Sequence, residues 1–125
     1  MPEVFDYAIV RVVPRVERGE RINVGVIVHC PTRDWLGCRI ADDLARVQVL
    51  APDADLDAIA DHLRALERIC RGDATAGAIA TLPVRERFHW LVHPRSTAIQ
   101  MSAVHSGRTD DPSVSLDHLF TTLVS

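Results

Sequence analysis

Residues 22–30 read INVGVIVHC. Val24, Val26 and Val28 lie on one side of an extended chain, and Asn23, Gly25, Ile27 and His29 on the other, which is the period of a strand. Working outward, PTRD (31–34) makes a turn, and Trp35 to Ala41 returns as the next strand. Upstream, Phe5 to Pro14 is rich in β-branched and aromatic residues, lacks helical spacing and ends at a proline. The charged loop RVERGER (15–21), with Gly19, joins it to residues 22–30. Three strands with short connections predict an antiparallel meander. In that register Cys30 faces Trp35 and Cys38 faces Ile27, so the two thiols are too far out of step to bridge.

Asp42 to Leu50 reads either as one or two helical turns or as an irregular strand. From Asp53 the pattern is plain. Leu56, Ile59, Ala60, Leu63, Leu66, Ile69 and Cys70 recur at helical spacing. Asp53, Asp55 and Asp57 at the start and Arg68 and Arg71 at the end favour the helix dipole. Asp53 or Asp55 caps the free N–H groups, and Gly72 takes the left-handed conformation that stops the helix.

GDATAGAIATLP (72–83) reads as a flexible connection. Beyond it Val84, Phe88, Trp90 and Val92 alternate with Arg85, Arg87, His89, Leu91 and His93, with Glu86 interrupting the apolar set. This alternation predicts a half-buried strand, PRS (94–96) a turn, and Thr97 to Val104 the returning strand. Asp111 before Pro112 is an N-cap followed by a proline at the first helical position. Leu116, Leu119, Phe120, Leu123 and Val124 supply the buried face of that helix. The expected class is α+β in one domain over residues 1–125. It has an antiparallel sheet of about five strands, the meander plus a second hairpin, with two helices packed on one face.

The composition of these 125 residues limits the chemistry. Hydrophobic content of 47% with 25% charged residues is that of a folded globular chain. No apolar run approaches the roughly 18–20 residues of a membrane span. MPEVFDYAIVRVV lacks the basic start and cleavage site of a signal peptide, and the expected location is the cytoplasm. All 14 basic residues are arginine, which rules out a lysine Schiff base and a phosphate loop with its lysine. A net charge of −3 argues against a bulk electrostatic grip on nucleic acid. Three cysteines without paired spacing give neither a disulfide framework nor a structural zinc site, and read as buried and unreactive.

Several constellations have two readings. His89 and His93 on a strand stand roughly 13 Å apart and cannot share an ion, so no metal and no cofactor is expected. Arg85 and Arg87 on one strand, and Arg95 beside Ser96 and Thr97, suit a phosphate or carboxylate; the alternative is that they satisfy turn carbonyls and neighbouring carboxylates. SAVHSGRTDDP (102–112) holds the components of a Ser/His/Asp triad but no nucleophile elbow, and also reads as a loop that starts a helix. Asn23 beside Gly25 suits either close approach of a ligand or a bulge with a locally bonded asparagine. Glu20 at the strand entrance is a candidate acid or base.

YAIVRVVP with RGERINVGVIV, RFHWLVHPRSTAIQMSAVHSG and the terminal DDPSVSLDHLF together resemble the bacterial domain-of-unknown-function family DUF3037, over nearly the full chain. The resemblance implies no established activity. It implies a gene that lies beside genes for kinases resembling the persistence kinase HipA, and by that association an accessory role with a protein partner. The positions matching the family pattern are Arg11, Glu20, Asn23, Arg87, Arg95, Ser96, Gln100, Ser102 and His105. They form one face only if the two expected hairpins meet.

The leading expectation is therefore a non-catalytic accessory or binding protein acting with a protein partner. The alternative is a small enzyme or binding protein for a phosphorylated or nucleotide-like anion. In that case Arg87 and Arg95 would hold the charge, and His105 or Glu20 would move a proton.

Overall fold

The computed structural model describes residues 2–93 and 98–125. The meander is present: β1 (Glu3–Val12), β2 (Ile22–Cys30) and β3 (Trp35–Ile40) pair antiparallel in that order. Cys30 faces Trp35 and Cys38 faces Ile27, as the hairpin register requires, and all three cysteines are free. α1 (Ala45–Leu50) resolves the ambiguity of residues 42–50 in favour of a short helix. α2 (Leu56–Arg71) has Asp55 as its N-cap, accepting from the Ala58 N–H, and stops at Gly72 in the left-handed conformation. The connection that follows contains two short 3-10 turns, Ala74–Ala76 and Ala78–Thr81.

Residues 84–92 are a helix, α3 (Val84–Val92), and not the expected strand. The buried side chains are Phe88 and Leu91, three apart on one helical face, while Trp90 and Val92 are half-buried. Strand alternation would have put Leu91 on the wet side, and burying it against the core decides for the helix. Among the described residues there is accordingly no second hairpin. β4 (Ile99–Met101) and β5 (His105–Thr109) both pair antiparallel with β1, along its C-terminal and N-terminal parts respectively. They act as one interrupted edge strand, giving a five-stranded antiparallel sheet and an α+β domain. The expected turn at 94–96 and Thr97 lie outside the described residues.

α4 (Pro112–Leu123) begins at Asp111, whose carboxylate accepts from the Ser113 N–H. It packs across Phe5, Val26, Val28 and Cys30 through Leu116, Phe120 and Val124. The other face carries Val10, Val12, Ile27 and Ile40 against α1, α2 and α3. The helices therefore cover both faces rather than one, because β2 is apolar on both sides.

The two faces do not follow simple alternation along β2. Val10 faces Gly25, but Arg11 faces Asn23, so Val24 is the extra residue of a bulge. The bulge shifts the period by one. Val26 and Val28 face α4, whereas Val24 joins the core beneath α2, which corrects their assignment to a common side. Gly25 sits there because a Cβ would press on the Ile40 side chain and lie 2.9 Å from the Arg39 carbonyl oxygen. Among the described residues no helix is long and apolar enough to cross a membrane.

Candidate functional site

The register places Arg11 directly opposite Asn23 on one side and Gln100 on the other, so the three side chains form a row across β2, β1 and β4. The row lies on the face that α4 covers, just beyond the end of that helix. The Arg11 Nε donates to Asn23 Oδ1 at 3.3 Å, and Asn23 Nδ2 donates to the Leu123 carbonyl at 3.1 Å. Asn23 thus caps a free carbonyl of the last turn of α4 and fixes the Arg11 guanidinium at the same time. The bulge makes this possible by turning Asn23 toward α4.

Next to the row the loop before β2 folds back and leaves a cleft of about 200 Å³ lined by Val13, Gly19, Arg21 and Gln100. Partial burial, and after it the positive charge of Arg21, hold the Arg11 guanidinium below its ordinary pKa. Glu20 does not enter this cleft as a free acid; it is ion-paired with Arg18. Among the described residues neither Arg11 nor Arg21 has a carboxylate within ion-pairing distance.

A second, larger cleft of about 350 Å³ lies between β2, β3, the entry to α1 and the end of α4. Ile22, Val24, Ile40, Phe120 and Val124 give it an apolar lining, and Arg39, Asp42, Asp43 and Arg46 give it charge. Arg39 stacks 4.4 Å above the Phe120 ring and reaches Asp117 at 3.2 Å. Arg46 donates to the Val124 carbonyl at 2.7 Å. Ile22 and Arg46 also line an adjoining open depression of about 580 Å³ beside Arg18, Arg21, Val49 and Leu50. Val49 is 83% exposed there.

The other candidates are dispersed. Arg87 is on α3, on the opposite side of the sheet from Asn23, where its Nη1 donates to the Leu82 carbonyl at 2.7 Å and its guanidinium lies against Gly72. Ser102 is buried inside the broken edge strand. His105 faces Tyr7, with ring centroids 5.4 Å apart, four residues along β1 from Arg11 and so roughly 13 Å from the row. Arg95 and Ser96 lie outside the described residues. The stretch 102–112 is mainly β5 and the start of α4: Ser106 donates to Asp6 at 2.6 Å, Ser115 to Thr109 at 2.6 Å, and Asp111 caps the helix. No Ser/His/Asp relay is assembled from these residues.

With 84–92 helical, His89 is in the last turn of α3 and His93 is its C-cap, one turn apart rather than 13 Å. Among the described residues no group of three or more His, Cys, Asp or Glu is placed to hold a metal. Cys70 neighbours Cys38, and that pairing together with burial pushes its thiol well above the ordinary range, which keeps it protonated and unreactive.

Sequence reasoning passed over three residues. Arg21 and Arg46 sit in charged or ambiguous stretches that carry no periodic signal. His29, 4% exposed, faces Asp6, lies 4.8 Å from the Phe88 ring, and has no partner for Nδ1. Burial lowers its pKa against the opposing charge of Asp6. Its signal was a lone imidazole inside VIVHC.

Comparison with curated proteins and with solved structures gives no match. The pattern of one family matches residues 7–124, nearly the whole length, and its description reads "Protein of unknown function (DUF3037)". The bulged, two-faced sheet closed by α4 is therefore the fold of a chain that belongs to the DUF3037 family.

Proposed function

We propose that the chain is a non-catalytic accessory protein that binds a protein partner through its arginine-rich end. The observation that carries this reading is the pair of adjoining depressions that share Ile22 and Arg46, one beside Phe120 and Val124 and the other beside Val49, Arg18 and Arg21. An apolar lining rimmed by arginines, with a valine almost fully in water, suits an acidic surface that brings its own apolar side chains. Arginine is enriched at such interfaces because its planar head stacks and forms paired hydrogen bonds. A kinase resembling the persistence kinase HipA is the first partner to test.

Val49→Glu is the informative change, since the side chain is mostly in water and the negative charge it introduces opposes an acidic partner. Tagged wild-type and variant chains would be purified from the native host and their companions quantified by mass spectrometry. A kinase recovered stoichiometrically with wild type and lost with V49E supports the reading. Equal recovery with both chains, or no stoichiometric companion, overturns it.

A further inference from the structure

We propose that the free edge of β3 is a self-association surface, on which a second copy of this chain pairs antiparallel through Leu36, Cys38 and Ile40. The proposal goes beyond the docking reading, whose decisive residue, Val49, lies on α1 rather than on this strand.

The hydrogen-bond register carries the first argument. The Ala41 N–H donates to the Val24 carbonyl at 2.7 Å, which fixes the phase of the ladder between β2 and β3. In that phase Trp35, Gly37 and Arg39 exchange hydrogen bonds with β2. The alternate residues, Leu36, Cys38 and Ile40, turn their N–H and carbonyl groups away from it. β3 ends the strand order on this side, and among the described residues none of those outward groups has a hydrogen-bond partner. Trp35 to Arg39 are half-buried or exposed, whereas Val24 to Cys30 are all buried, so α2 and α4 leave this edge open to water.

The contrast between the two edges is the second. The opposite edge is broken between β4 and β5, where the Ser102 hydroxyl takes over the pairing with β1. β3 is unbroken, has no proline, and carries no charge among Leu36, Cys38 and Ile40. Arg39, its one charge, is drawn onto α4, stacked on Phe120 and bonded to Asp117. An edge without such guards is a template for another strand.

Self-complementarity names the occupant. A two-fold axis through Cys38, perpendicular to the sheet, sets Cys38 against Cys38 and Leu36 against Ile40 of the second copy. This register uses every outward N–H and carbonyl of the three residues and matches apolar side chains on the side of α2. On the side of α4, Gly37, with the Trp35 ring laid over it, faces Arg39 of the second copy, so the two arginines do not meet. A closed two-fold pair is also the commonest assembly of like chains.

The test is light-scattering mass across a dilution series, with amide exchange read residue by residue at both ends of it. The expected wild type is a dimer at high concentration, in which the Leu36, Cys38 and Ile40 amides exchange more slowly than in the dilute monomer. Cys38→Pro removes an N–H that β2 does not use, and proline is tolerated at such edge positions. The dimer dissociation constant is expected to rise about tenfold or more in C38P, as loss of the paired bonds at the axis implies. A monomer at every concentration overturns the proposal, as does a dimer that leaves these three amides unprotected. Equal association of a folded C38P overturns it too; if C38P does not fold, the wild-type exchange decides alone. V49E is expected to retain the dimer, so failure of the docking reading leaves this edge standing.

Discussion

Ser102 exchanges two hydrogen bonds with Ile9. Its N–H donates to the Ile9 carbonyl at 2.9 Å, and its Oγ accepts from the Ile9 N–H at 2.8 Å while donating to the Ala103 carbonyl at 2.8 Å. A serine hydroxyl thus stands where a strand carbonyl would be, and carries the pairing of β1 across the gap between β4 and β5. Ser102→Ala leaves the Ile9 N–H buried without an acceptor. The expected cost is about 1–3 kcal/mol, read as a midpoint lowered by several degrees.

Asn23→Ala removes the cap from the last turn of α4 and frees the Arg11 side chain. A loss of about 1 kcal/mol is expected, with faster amide exchange confined first to the end of α4. Uniform exchange across the sheet would show that the bond to Leu123 contributes nothing local.

Leu91→Ala distinguishes the helix at 84–92 from a strand. Leu91 is buried with 1% exposure, so truncation is expected to cost about 2–5 kcal/mol. His89→Ala, at an exposed position, is expected to stay within about 0.5 kcal/mol. A strand would place both side chains on one solvent-facing side and make the two variants alike.

His29 makes the fold sensitive to acid. Its folded pKa lies below the 6.5 of an ordinary imidazole, chiefly through burial, against the opposing pull of Asp6. As pH falls through 6.5 the unfolded chain takes up a proton that the folded chain refuses. Its contribution is therefore complete above that value and is lost below it, until the folded pKa is reached. Unfolding free energy measured against pH is expected to slope less steeply in His29→Leu over this interval. An unchanged slope would assign the acid response to other groups.

The parts legible in sequence were those with local causes. The meander, the Asp55 and Gly72 ends of α2 and the Asp111–Pro112 start of α4 each rest on signals within a few residues. Residues 84–92 were not legible because nine residues with Phe88, Trp90 and Leu91 fit either period, and only burial of Leu91 chooses. HSGRT carries no apolar alternation; it is a strand because β1 supplies the partner, with Gly107 leaving room for the Phe5 ring. The bulge depends on Gly25 meeting Ile40 from another strand. In the same way Arg11, Asn23 and Gln100 could be named from sequence, but their alignment in one row is a property of the register.

The bond between Asn23 and Leu123 joins positions 100 residues apart. During synthesis, then, β2 is made well before its cover, α4. Until that helix leaves the ribosome, Val26, Val28 and Cys30 present an uncovered apolar strip beside Phe5. In the native protein that strip is sealed, so its exposure belongs to the chain under synthesis rather than to the folded molecule.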